Sequence, residues 1–212
     1  PHTPRNYMQG YILNVKKAKN EDTIATVITS NTLYTLYRFY GARHPIVTAG
    51  FKIDFEIERD FTPFLPRLRN VIHLGYPWLK IRSRLQIWQN FNSLLYKHLR
   101  DIEIPESFYF NLLEYYASVW HLQNPKRSAI EAYVSLLAHE GRLHTPTHCF
   151  ACGGPIEKEV SLVRAYLPSH PSCAVGLRYR TDKIAALFET LSTIHMEDED
   201  IEGLWTILLQ GM

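Results

Sequence analysis

The hydrophobic period of this chain changes once, near Pro77, and that change limits what the chain can fold into. Upstream of it lie short runs that are apolar, rich in aromatics or alternating with period two. They are Tyr11-Ile12-Leu13-Asn14-Val15, Thr23-Ile24-Ala25-Thr26-Val27-Ile28-Thr29, Leu33-Tyr34-Thr35-Leu36-Tyr37-Arg38-Phe39-Tyr40 and Lys52-Ile53-Asp54-Phe55-Glu56-Ile57-Glu58. Residues 23–29 alternate β-branched side chains and residues 52–58 alternate with period two, while residues 11–15 are a short apolar run and residues 33–40 are rich in aromatics; all four read as strands. Asn20-Glu21-Asp22, Ser30-Asn31, Gly41 and Gly50 supply turns between them. Four or five short strands in this span fit a small closed barrel better than a sandwich, because closure removes exposed edges.

Downstream the spacing is helical. Leu85, Trp88, Phe91, Leu95 and Leu99 make one apolar stripe, and Phe108, Leu112, Tyr115 and Val119 a second. A third helix has its own punctuation: Asn124 caps, Pro125 takes the first helical position, Ile130, Val134 and Leu137 form the stripe, and Gly141 ends it. A fourth opens at Thr181-Asp182 and runs through Ile184, Leu187, Leu191 and Ile194; a short fifth holds Ile201, Leu204, Trp205 and Leu208. The expected class is α+β, with an N-terminal β-barrel over residues 8–75 and a helical domain over residues 76–212. Residues 1–7 lack the apolar segment of a signal peptide and are expected to be an expression-derived leader. No apolar run approaches the roughly 20 residues that span a bilayer, so the expected location is cytoplasmic, with no membrane partner.

Between the third and fourth helices lies a metal-ligand pattern. Cys149 and Cys152 are spaced C-x₂-C and followed by Gly153-Gly154; seventeen residues on, counted from Gly153, His170 and Cys173 repeat the two-residue spacing. A tight turn places two such ligands at neighbouring vertices of a tetrahedron, and the glycines give that turn backbone freedom. Three thiolates and an imidazole close the shell and leave no position for water, which points to one structural Zn²⁺ in an insertion over residues 145–178. Three cysteines leave one odd for disulfides, and a redox C-x-x-C would need a thioredoxin-like βαβ context. His148 competes with His170 but directly precedes Cys149, a cramped geometry.

Catalytic signatures fail. His139-Glu140 and His144 miss H-E-x-x-H by one residue, and the only C-x-x-C follows His148 rather than the proline of a zinc deaminase. No phosphate-binding glycine loop or nucleophile elbow is present in the sequence. Residues 197–200, Glu-Asp-Glu-Asp, are expected to be a solvated acidic run. The chain is therefore expected not to be an enzyme.

The net charge of +2 conceals a division. Residues 1–100 hold fifteen Lys/Arg against six Asp/Glu, whereas residues 101–212 hold eight against fifteen; residues 61–100 carry seven cations and no carboxylate. Mixed charge is the usual surface, so this segregation points to an anionic partner for the first half, nucleic acid foremost.

Gly10-Tyr11-Ile12-Leu13, the segment from Asn20-Glu21-Asp22 through Thr29, Gly41-Ala42-Arg43, Asn124-Pro125-Lys126-Arg127 and the late cysteine knuckle occur in an order that resembles the RecO family of recombination mediators. Residues 34–42 and the compact loops look closest to ε-proteobacterial versions. The resemblance implies an OB-fold that binds single-stranded DNA, a helical domain with a zinc-knuckle insertion, and annealing of complementary strands in DNA repair. It also implies work with RecR and, through it, the loading of RecA in the nucleoid; the preference for single or double strands stays open. Expected phosphate contacts are Lys16, Lys17, Lys19, Arg38, Arg43 and Lys52, with Arg67 and Arg69 extending the track. Expected stacking residues are Tyr34 and Tyr40, because alternation puts them on the face that carries Arg38, with Tyr37 and Phe39 assigned to the core. His170 replaces a cysteine usual in the family's knuckle, an exchange zinc tolerates. The family's contact with the acidic tail of single-strand-binding protein needs a basic rim; here only Lys126-Arg127 and Arg164, Arg178, Arg180 and Lys183 could supply it, so that contact is not expected in its usual form. The competing expectation is a zinc-stabilised protein scaffold without annealing activity.

Overall fold

The computed structural model describes residues 7–60, 64–102 and 104–212; of the leader expected over residues 1–7, all but Tyr7 lies outside them. Five strands close into a barrel of order β1-β2-β3-β5-β4, with β4 returning to β1. They are β1 (Met8–Lys17), β2 (Thr23–Ile28), β3 (Leu33–Arg38), β4 (Lys52–Glu58) and β5 (Arg67–Leu74). All neighbours are antiparallel except β3 and β5, which meet in parallel at one pair, Tyr37 and Arg67. This closed five-stranded barrel is the OB-type fold.

Ile12, Ala25, Val27, Leu36, Ile53, Phe55 and Leu68 fill the interior. Gly10 is required there by space: a Cβ would sit 2.6 Å from Val27 Cγ1 and 2.7 Å from the Ile28 carbonyl oxygen. The first four strands follow the sequence pattern. The fifth escaped it, because Asn70 sits at φ 48° beside a register shift between Asp54 and Glu56. Leu68 and Val71 consequently both face the core three residues apart, and the period of two is lost.

The outer face of β1 is also buried. Tyr11 packs against Trp88 of α1 (Arg82–Leu99) and Phe110 of α2 (Ser107–Val119), with ring centroids 6.0 and 5.9 Å away. Its hydroxyl donates to Glu114 Oε1 at 2.8 Å and meets the Tyr76 hydroxyl at 3.0 Å. Trp88 Nε1 donates to the Gly50 carbonyl at 2.7 Å, fixing α1 to the loop before β4. The sequence-based boundary at residue 75 marks the end of the barrel strands, but the compact unit continues through α2 and the chain divides between Val119 and Trp120. Apolar outer-face residues on β1 need these two helices as cover.

The C-terminal unit contains α3 (Pro125–His139), α4 (Thr181–Thr190) and α5 (Asp198–Leu208). It also holds a small sheet of order β7-β6-β8, from β6 (Glu159–Val163), β7 (Leu167–Ser169) and β8 (Tyr179–Arg180), which the helical reading of this half did not include. As expected, Asn124 Oδ1 accepts from the Lys126 amide at 3.0 Å. Arg127 reaches across with bonds to the carbonyls of Thr193 (2.8 Å) and Met196 (2.9 Å) and to Asp198 (2.8 Å). The acidic run is a helix start rather than a merely solvated stretch. Glu197 and Asp200 form a capping box, and Lys183 lies 3.4 and 3.5 Å from them; carboxylates at a helix N-terminus also oppose the macrodipole favourably. No described helix is long and apolar enough to cross a membrane.

Candidate metal centre and nucleic-acid interface

The four ligands expected from spacing converge. One ligand atom from each of Cys149, Cys152, His170 and Cys173 lies within 4.8 Å of all the others. The first pair sits on a turn in which the Gly153 amide donates to the Cys149 carbonyl and the Cys149 amide to the Gly154 carbonyl, both at 2.8 Å. Gly153 takes φ +73°, in the left-handed region that glycine enters without cost. Gly154 passes beneath the imidazole, where a Cβ would lie 3.2 Å from His170 Cε1 and 3.4 Å from Cys152 Sγ. The second pair leaves β7, with the Cys173 amide donating to the His170 carbonyl at 2.9 Å.

His170 Nδ1 is 3.3 Å from Cys152 Sγ and 3.9 Å from Cys173 Sγ. Those separations match the edges of a tetrahedron built on zinc bonds of about 2.3 Å to sulfur and 2.0–2.1 Å to nitrogen. Nε2 lies 2.8 Å from the Pro155 carbonyl, which can only accept, so Nε2 carries the proton and Nδ1 presents its lone pair to the sulfurs. Burial pushes the Cys149 thiol up, but bonds from the Ser169 hydroxyl and from the amides of His170, Cys152 and Ala151 outweigh it and hold the thiol at about 5. Burial and the neighbouring Cys152 and Cys149 sulfurs push Cys173 up. Three sulfurs around an imidazole lone pair are a donor set that a dication completes. The set can hold a metal ion such as zinc. His148 is outside it, with Nδ1 3.1 Å from Thr147 Oγ1.

The barrel treats its candidate residues unequally. Lys16, Lys17 and Lys19, at the end of β1 and in the turn to β2, are exposed and have no ion-pair partner among the described residues. Arg43 lies over the Tyr40 ring at 5.5 Å and pairs with Glu21. Arg67 is 2.8 Å from Asp60, and Arg69 is 3.4 Å from Glu58. Lys52 is largely withdrawn: its side chain is 12 % exposed and its Nζ is 2.7 Å from Glu114 Oε1. Arg38 is half-buried, bonded through Nη1 to the Leu68 carbonyl at 3.0 Å.

The expected faces of β3 are reversed. Tyr34 and Leu36 point inward, Tyr34 against Phe55 with centroids 6.4 Å apart, while Tyr37 and Phe39 lie outside. Arg38 misled the assignment because it lies at the barrel's end, where an apolar stem can be buried while the guanidinium reaches a polar atom. On the outer face, Lys16, Ile24, Tyr37 and Arg67 are successive cross-strand partners from β1, β2, β3 and β5. Phe39 packs edge-on to Tyr37 at 5.2 Å and lies beneath the Arg67 guanidinium at 5.0 Å. Asp22 anchors the row's rim, accepting from the Tyr37 hydroxyl and, at 2.8 Å, from the Tyr40 amide; these two bonds hold its carboxyl below the usual range.

Residues 8–79, which include the whole barrel, match the family model described as RecO N terminal. No curated protein matches the sequence. The barrel is therefore a RecO N-terminal domain, the N-terminal part of a family of DNA repair and recombination proteins.

Proposed function

We propose that this chain is a non-enzymatic recombination mediator that binds single-stranded DNA, anneals complementary strands and, with RecR, helps to load RecA. The observation that carries this reading is the exposed row on the barrel, where unpaired lysines adjoin outward-facing aromatics. Phosphates need cations free to release their counterions, and bases need flat apolar faces. The strand β2–β3 face and the β1–β2 loop are also where OB barrels take oligonucleotides. Lys16, Lys17 and Lys19 then supply the main phosphate contacts, Arg43, Arg67 and Arg69 secondary ones, and Tyr37, Phe39 and Tyr40 the stacking surface. Lys52, Arg38 and Tyr34 support the barrel instead.

The Cys149, Cys152, His170 and Cys173 set holds one zinc ion with a structural role, since four protein ligands leave no open position for chemistry. A contact with the acidic tail of single-strand-binding protein gains little support from charge. Lys126, Arg127, Arg178, Arg180 and Lys183 each pair with a carboxylate of their own unit. Mixing complementary fluorescent oligonucleotides with the protein tests the main reading. Annealing well above the spontaneous rate is expected, with or without brief chelation. A protein that binds DNA salt-insensitively and anneals nothing would favour the scaffold alternative.

A further inference from the structure

Beside the last turn of α1, the outer barrel face opens into a cleft of about 440 Å³. Its floor is a polar row. Asn14, Thr26 and Thr35 are cross-strand partners on β1, β2 and β3, and their side chains have no hydrogen-bond partner among the described residues. Apolar walls flank the row, with Ile24 and Leu33 on the barrel side and Tyr96 and Ile102 from the helix end. Lys16 and Arg100 stand at the rim. Asp101 is beside Arg100, but their closest approach is 3.9 Å and both side chains are mostly exposed, so the guanidinium stays available.

We propose that this cleft seats one unstacked nucleotide of a bound single strand, with its base edge on Asn14, Thr26 and Thr35 and its phosphate on Lys16 and Arg100; the proposal rests on the DNA-binding reading above. The chemistry of the lining selects this ligand. An amide and two hydroxyls can each donate and accept, so together they satisfy the edge of any base without demanding one sequence. Tyr96 and the aliphatic walls suit the faces of a flat ring. The volume lies within the range of small-ligand sites, roughly 300–1,000 Å³. A base inside a duplex is stacked on both sides and cannot enter, so the seat discriminates for single strands. It also lets the protein hold a strand by its bases as well as its phosphates.

The test compares a fifteen-nucleotide oligothymidine with an abasic strand of the same length, by fluorescence anisotropy at one salt concentration. The wild type should bind the thymidine strand more tightly, with the seat supplying about tenfold, the size of one base contact, on top of stacking against Tyr37, Phe39 and Tyr40. Asn14→Leu combined with Thr35→Ile fills the floor and removes its polar groups from positions on the outer surface. That variant should lose about tenfold of the preference, while its affinity for the abasic strand, which also reports that the barrel is folded, stays unchanged. A variant that keeps the full preference overturns the seat. A wild type that binds both strands equally overturns the seat and the stacking surface and leaves phosphate binding by the lysines standing; binding to neither strand overturns the DNA-binding reading as well.

Discussion

The barrel unit and the C-terminal unit both carry clustered cations, yet they use them differently. In the C-terminal unit Lys126, Arg127, Arg178, Arg180 and Lys183 are each bound to a carboxylate nearby. In the barrel unit Arg43, Lys52, Arg67 and Arg69 are paired too, but Lys16, Lys17 and Lys19 have no such partner among the described residues. A cation already matched within its own unit stabilises that unit; an unmatched one can exchange its counterions for phosphates. The availability of charge, rather than its amount, separates a structural element from a binding surface.

Removing the metal is the severest way to test that division. Cys149→Ser, or prolonged chelation, should destabilise the C-terminal unit by at least about 4 kcal/mol, because the free energy of metal binding is part of that unit's folding free energy. Calorimetry should show its transition fall while the barrel's remains, and oligonucleotide affinity at low temperature should hold. A parallel collapse of DNA binding would show that the two units are not independent in function.

Arg127 comes next. Arg127→Ala strips two carbonyls and Asp198 of their donor and should cost about 2 kcal/mol in a urea melt. It should leave DNA affinity unchanged, as expected of a cation used internally.

The lysines should behave in the opposite sense. Lys17→Glu with Lys19→Glu should flatten the log–log dependence of single-strand affinity on salt by about 1.4, from roughly 0.7 per phosphate, with little change in melting temperature. Arg178→Gln with Arg180→Gln should leave that slope alone. Equal flattening by both pairs would erase the contrast between the units.

The smallest effect concerns pH. His73 stacks on Phe51 at 4.5 Å, and its Nε2 is buried without a partner, so burial lowers its pKa below 6.5. Below 6.5 the unfolded chain takes up a proton that the folded one resists, so barrel stability should decline as pH falls from 7 toward 5.5. His73→Phe should remove that decline in a pH series of thermal melts.

The parts of the fold that could be read in advance were local ones. Short apolar, aromatic and alternating runs marked β1 to β4, and Asn124-Pro125 marked the start of α3. Repeated two-residue spacing marked all four metal ligands, because a tetrahedral site needs short turns whatever surrounds it. Strand β5 was hidden by the bulge at Asn70, which broke its period. Strands β6 to β8 are only two to five residues long, too short to carry one. The faces of β3 are not legible from alternation, because Arg38 lies half-buried with its guanidinium on the Leu68 carbonyl and does not mark the solvent side.

By itself, then, the sequence determined the barrel, the helices after it, the metal-ligand set and the segregation of charge. Each of these depends on neighbours along the chain or on composition. Tertiary structure decided which cations are free, which aromatics face outward, that α1 and α2 belong with the barrel, and that Asn14, Thr26 and Thr35 line one cleft. Those facts depend on register and on pairing between residues far apart in sequence. A shift of one residue in a strand exchanges its faces, and a carboxylate more than seventy residues away neutralises Lys126.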